Sequence, residues 1–139
     1  MTDTGSDGDR GPPVALVVED DPTLRAVLAY NLRREGYRVL EAADGPAGLA
    51  AAGRAGTRLV AVVLDLMLPG LDGLEVLRRL RADLSTRGAA VVVLTASADQ
   101  DAWAAAAAGG AAVVAKPFAR ADLLARVRAA AGARGPTPD

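Results

Sequence analysis

"VVLDLMLPG", residues 62–70, is an apolar run broken by a single acid. Val62, Val63 and Leu64 lead into Asp65, Leu66 follows, and Pro69 and Gly70 end the run. A short continuous apolar stretch bounded by turn residues is the pattern of a parallel strand buried on both faces. A lone carboxylate closing such a strand needs a reason, because burying an unpaired charge is costly.

The same pattern recurs on both sides of it. "VALVV" (14–18), "YRVLEA" (37–42), "RLVAVVLD" (58–65), "AAVVVLTA" (89–96) and "AAVVAK" (111–116) read as five strands. Between and after them lie segments of helical character. "PTLRAVLAYNLRREG" (22–36) has Leu24, Val27, Leu28 and Leu32 at helical spacing and Gly36 as a stop. "GPAGLAAAGRAG" (45–56) is a weak, Gly-punctuated helix, and "GLEVLRRLRAD" (73–83) is strongly amphipathic. "DQDAWAAAAAGG" (99–110) is Ala-rich, and "RADLLARVRAAAG" (120–132) carries a stripe of Leu123, Leu124, Val127 and Ala131. Five β–α units in strict alternation predict an α/β fold, a doubly wound parallel sheet with helices on both faces. The domain is drawn over 14–131, with polar, Gly- and Pro-rich tails expected to be disordered over 1–13 and 132–139.

Composition narrows the chemistry. Of 139 residues, 51% are hydrophobic and only 3% aromatic, so the core is built from Val, Leu and Ala. The chain holds no Cys and no His, which removes thiolate chemistry, histidine bases and histidine-ligated metals. Any metal site must use oxygen ligands. With 16 basic and 17 acidic residues, nothing suggests a general affinity for nucleic acid. The N-terminus lacks the apolar segment of a signal peptide, and no run approaches the roughly 20 residues needed to cross a bilayer. A soluble, cytoplasmic protein is expected.

In an open doubly wound sheet, ligands bind beyond the carboxyl ends of the strands. The first strand ends in Glu19, Asp20 and Asp21, the third in Asp65, the fourth in Thr95, and the fifth in Lys116 and Pro117. The second ends in Glu41 and Ala42, with no further polar cluster. Adjacent strands lie about 4.8 Å apart, so Asp20 and Asp65 share a site if strands one and three are neighbours. Carboxylates that close repel one another unless a cation sits among them. Oxygen ligands alone favour a hard divalent ion such as Mg²⁺. Lys116 adds a point charge and Thr95 a hydroxyl, a set suited to a phosphoryl group carried on one carboxylate. Asp21 reads as the cap of the first helix and Asp72 as the cap of the third. Trp103 reads as a partly packed helix residue.

The chain resembles the response-regulator receiver family of two-component signalling. The motifs are "VVEDD" (17–21), "LDLMLPGLDG" (64–73), "VVLTA" (92–96) and "AKPF" (115–118), in order and each at a strand end. The resemblance implies a (βα)5 flavodoxin-like fold with strand order 2-1-3-4-5. It implies Asp65 as the phosphoacceptor, Asp20 as the principal Mg²⁺ (or Mn²⁺) ligand, Glu19 as a second acid, and the Met67 carbonyl as a further ligand. Thr95 and Lys116 would bind the phosphoryl group, and Pro117 would hold their loop in an unusual, cis geometry. Met67 and Ser97 stand where side chains of the family tune hydrolysis. Neither is suited to holding a water, which implies a long-lived phosphoryl group. The position three before the lysine usually carries an aromatic switch residue; here it is Val113. The interval from Thr95 to Lys116 is also one residue short.

The expected function is a stand-alone bacterial receiver. Asp65 accepts a phosphoryl group from a sensor histidine kinase or phosphotransfer protein. The only catalysis is that transfer and its reversal by hydrolysis. Output goes to an unidentified protein partner or onward by phosphorelay, without nucleic acid or membrane, from a monomer or weak dimer. The alternative is a degenerate receiver serving as a docking module. A haloacid-dehalogenase-type phosphatase is disfavoured because Met67 replaces its second aspartate. A flavodoxin-like cofactor binder is disfavoured because no Gly-rich phosphate loop follows the first strand.

Overall fold

A computed structural model of the chain describes residues 11–96 and 100–134. Five parallel strands, β1 (Val14–Val18), β2 (Arg38–Ala42), β3 (Leu59–Asp65), β4 (Ala90–Thr95) and β5 (Ala112–Ala115), form one sheet in the order β2-β1-β3-β4-β5. Five helices connect or follow them: α1 (Pro22–Arg34), α2 (Gly45–Ala55), α3 (Gly73–Ala82), α4 (Gln100–Ala108) and α5 (Arg120–Arg134). This is the doubly wound flavodoxin-like architecture expected from the alternation and the resemblance.

The sheet is covered on both faces, and alternate strand residues feed two cores. Val14, Leu16, Val18, Val62, Leu64, Val91 and Val93 pack with residues of α2, α3 and α4. Ala15, Val17, Val63, Val92 and Leu94 pack with residues of α1 and α5 on the other face. All of β1 and β4 is buried, which explains why both read as unbroken apolar runs. Asp21 and Asp72 cap α1 and α3 as expected, accepting from the backbone amides of Thr23, Leu24 and Glu75. Asp44 caps α2 in the same way through the Ala47 amide.

Several local details differ from the sequence reading. Val27 is 46% exposed; the buried stripe of α1 runs through Leu28, Ala29 and Leu32 instead. Val27 lies at the edge of that stripe, and the small Ala29 lets the helix settle on the sheet. A one-turn 3-10 helix over Gly56–Arg58 precedes β3. β5 ends at Ala115, one residue before Lys116. α5 runs to Arg134, past the boundary drawn at 131. Trp103 is half-buried, as expected.

Gly73 fixes how α3 meets the strand that carries Asp65. Its amide donates to the Leu66 carbonyl at 3.1 Å. A Cβ there would lie 2.6 Å from both the Asp65 carbonyl oxygen and the Leu66 Cα, so only glycine allows this approach.

Candidate functional site

Strand register brings the acids together. Val18 stands beside Ala42 on one side and Leu64 on the other, so Glu19 and Asp65 each lie one residue further along neighbouring strands. Glu19 is buried: its amide donates to the Ala42 carbonyl at 3.0 Å, and its Oε2 accepts from the Asp21 amide at 3.0 Å. Asp20 is exposed at the mouth of the site. One carboxylate oxygen from each of Glu19, Asp20 and Asp65 lies within 4.8 Å of the other two.

Asp65 is buried, and both of its oxygens are engaged. Oδ1 accepts from the Met67 amide at 2.9 Å, and Oδ2 accepts from the Lys116 ammonium at 3.0 Å. The Lys116 Nζ also lies 3.7 Å from Glu19 Oε1, close enough for charge attraction but too long for a hydrogen bond. The Lys116 backbone amide donates to the Thr95 carbonyl at 2.8 Å, and the peptide from Lys116 to Pro117 is cis. Thr95 is buried at the end of β4, and Leu66 is tied to β4 through its amide and the Leu94 carbonyl.

The electrostatics follow from this packing. Burial pushes the Glu19 carboxyl up to about 7, opposed by the Asp21 amide and reinforced by the nearby Asp65 charge. Burial works against the charged Lys116, but the hydrogen bond and charge of Asp65 outweigh it and raise the ammonium above its ordinary value. The Lys116 ammonium therefore pairs with Asp65 and Glu19 in a site of three carboxylates. Glu19 Oε1 is buried with no hydrogen-bond partner, and such an atom ordinarily has one. An orphaned carboxylate oxygen among three acids, with only oxygen donors, fits a small hard divalent cation.

The residues singled out from the sequence fall as follows. Glu19, Asp20, Asp65 and Lys116 converge on one cleft, and Thr95 is tied to Lys116 through the backbone. Met67 meets the site through its amide, while its side chain is 70% exposed and apolar. Val113 is half-buried against the core beneath α2, α3 and α4. Ser97 lies outside the described residues.

The sequence reading missed Arg25 and the role of Glu41. Arg25 Nη1 donates to the Glu19 carbonyl at 2.9 Å, and its Nε lies 3.7 Å from Glu41 Oε1. Glu41 stands one residue before the end of β2, on the same sheet edge as Glu19, and that placement was the available signal. Gly73 was legible only as part of a motif; its contact with the Asp65 backbone was not.

Known proteins match this chain consistently. The family model described as "Response regulator receiver domain" matches residues 15–128. Over 118 residues the chain is 45% identical to the transcriptional activator protein PfeR of Pseudomonas aeruginosa, covering 84% of this chain and 37% of that one. The chain spans half or less of the length of the curated relatives it matches first, between 37% and 50%. Among solved structures, the receiver domain of the sensor histidine kinase PA1611 of Pseudomonas aeruginosa is 36% identical with a TM-score of 0.75, covering 88% of this chain and 98% of that one. That structure holds a magnesium ion coordinated in its active-site cleft. A CheY-like receiver domain protein from Methanospirillum hungatei is 25% identical with a TM-score of 0.80, covering 87% and 94%. The chain belongs to the response-regulator receiver domain family.

Proposed function

We propose that this chain is a phosphoacceptor receiver, with residues 14–131 as the signalling unit and Asp65 as the acceptor. The observation that carries the reading is the gathering of Glu19, Asp20 and Asp65, one oxygen of each within 4.8 Å of the others, in a site where buried Glu19 Oε1 has no hydrogen-bond partner. The Lys116 ammonium stands 3.0 Å from Asp65 beside them.

In the transfer, an Asp65 carboxylate oxygen forms a bond to phosphorus. The bond from phosphorus to the donor's leaving group breaks, an imidazole nitrogen in a phosphohistidine donor or an acetate oxygen in acetyl phosphate. Asp20 and Asp65, with Glu19 and the Met67 carbonyl, would hold Mg²⁺ or Mn²⁺, which when bound would supply positive charge for the phosphoryl oxygens. Every other contribution belongs to the chain. Lys116 pairs with Asp65 before transfer and then with the phosphoryl group. The Met67 amide holds the carboxylate in one orientation, which aligns the second oxygen for attack. The Thr95 hydroxyl donates to the phosphoryl group once it has formed. The cis peptide before Pro117 shapes the loop that carries Lys116.

The kinase or phosphotransfer protein that supplies the phosphoryl group and the protein that reads it are the partners. Output is phosphorylation-dependent binding or onward relay. The docking-only reading leaves this convergent set idle, and only Val113 favours it. No helix among the described residues is long and apolar enough to cross a membrane.

The test is intact mass after incubation with acetyl phosphate and Mg²⁺. One phosphoryl group is expected on the native chain and none on Asp65→Asn, because an amide is not a nucleophile. Because Met67 offers no polar side-chain atom to an attacking water, the added mass should persist for minutes or longer at room temperature. Equal labelling of Asp65→Asn would overturn the assignment.

A further inference from the structure

We propose that Arg25 is a positioning residue for the acidic site, a role that rests on the reading of that site as a divalent-cation site. Arg25 lies one turn into α1, where its own amide donates to the Asp21 carbonyl at 2.9 Å. Its side chain turns back across the start of the helix. There Nη1 donates to the Glu19 carbonyl at 2.9 Å. Glu41 supports the guanidinium from β2, and the second Glu41 oxygen accepts from Arg33 Nη2 at 3.2 Å. Two arginines of one helix thus bracket one carboxylate near the end of β2, and the first of them reaches the acidic loop.

The consequence falls on Asp20. The Glu19 carbonyl belongs to the peptide group before Asp20, and the Asp21 amide belongs to the peptide group after it. Arg25 holds the first. Glu19 Oε2 holds the second, at 3.0 Å. Asp20 is exposed, yet its backbone is clamped on both sides, so its carboxylate leaves from a fixed Cα. A ligand aimed in advance loses less freedom when the cation binds. Groups one step behind a metal ligand commonly change affinity 10–100-fold when removed.

The arrangement demands an arginine. One planar group must donate to a carbonyl and face a carboxylate at once; a lysine ammonium supplies charge without that fork. Arg25 pairs with Glu41, which is partly exposed, so its removal strands no buried charge.

The experiment follows melting temperature against Mg²⁺ concentration, since a cation that binds only the folded chain stabilises it progressively. In parallel, the rate of labelling by acetyl phosphate is measured over the same Mg²⁺ range. For Arg25→Met the half-saturating Mg²⁺ concentration should rise roughly tenfold in both readouts, with most of the rate recovered at saturation. Arg25→Lys should fall between Met and the native chain. Glu41→Gln should show a smaller rise, because the guanidinium can still reach the Glu19 carbonyl. If Arg25→Met does not fold, Arg25→Lys and Glu41→Gln decide the matter. A lowered melting temperature with an unchanged half-saturating Mg²⁺ concentration in these variants would show a merely structural arginine and overturn the proposal. A native chain with no response to Mg²⁺ would instead sink the cation-site reading and the proposal with it.

Discussion

At the end of β1 the backbone is held from several directions. The Glu19 amide is on Ala42, its carbonyl on Arg25, and the Asp21 amide on the Glu19 carboxylate. At the edge of the same sheet, β5 has four residues and only Val114 is buried. Beside it, α4 has nine residues, mostly alanine, and only Ala106 is buried. Its neighbour α3 buries Val76, Leu77 and Leu80. The C-terminal end of α4 is nonetheless anchored: Arg81 of α3 donates through Nε to the Gly109 carbonyl at 2.8 Å. The difference follows from what each region must do. Gathered carboxylates repel one another and keep their geometry only where the backbone around them is fixed. A helix packed through methyl groups forfeits little when it shifts, since burial contributes only about 0.8 kcal/mol per methylene. The acids are fixed at the interior strands β1 and β3, and packing is lightest around α4 and the edge strand β5.

The sharpest way to break this comparison is to overpack each region with one methyl group. At Gly73 the new Cβ meets backbone, the Asp65 carbonyl oxygen and the Leu66 Cα, both at 2.6 Å. At Gly109 it meets Leu77 Cδ2 at 2.8 Å, the tip of a flexible side chain. Gly73→Ala should lose up to about 3 kcal/mol of stability, and Gly109→Ala roughly 1 kcal/mol or less. Urea unfolding midpoints at constant slope measure both. Equal losses would mean that the two regions yield alike.

A smaller effect is expected from pH. Glu19 titrates near 7 in the fold against an ordinary value of 4.5. Between those values the folded chain binds more protons than the unfolded one, so stability falls as pH rises through the window, and the whole penalty is present above it. Lys116 is also raised, so its contribution too declines with rising pH, but it is fully present below the ordinary lysine value of 10.5 and does not change across this window. In chelator, urea unfolding across about pH 4.5 to 7.5 should therefore show declining stability. Glu19→Gln should flatten the decline, and saturating Mg²⁺ should remove it. A native chain equally stable across the window without metal would contradict a charge-strained acidic end.

Much of the fold was legible because buried parallel strands leave unbroken apolar runs, as Val14–Val18 and Ala90–Thr95 do. The convergent acids and Lys116 were legible because each stands at or just past the end of such a run. What escaped the sequence depends on approach between distant segments. Nothing in the spacing of Arg25 shows that its side chain reverses onto Glu19, or that Glu41 supports it. The exposure of Val27 depends on how α1 settles against the sheet through Ala29. The need for glycine at 73 comes from the closeness of α3 to β3. Periodicity reports which face is buried; it does not report what lies across the gap.

If Asp65 takes the phosphoryl group as proposed, the response is expected to run through the start of α4 and to bypass Val113. A valine with two methyl groups and a stiff χ1 cannot sweep the volume of an aromatic switch. Backbone amide NMR on adding beryllofluoride with Mg²⁺, a phosphoryl mimic, tests this most directly. The account predicts large shifts at Glu19–Asp21, at Asp65–Met67 and across residues 95–103, with small shifts at Gly109, Gly110 and Val113. Shifts at Val113 and Val114 as large as those at the start of α4 would contradict it.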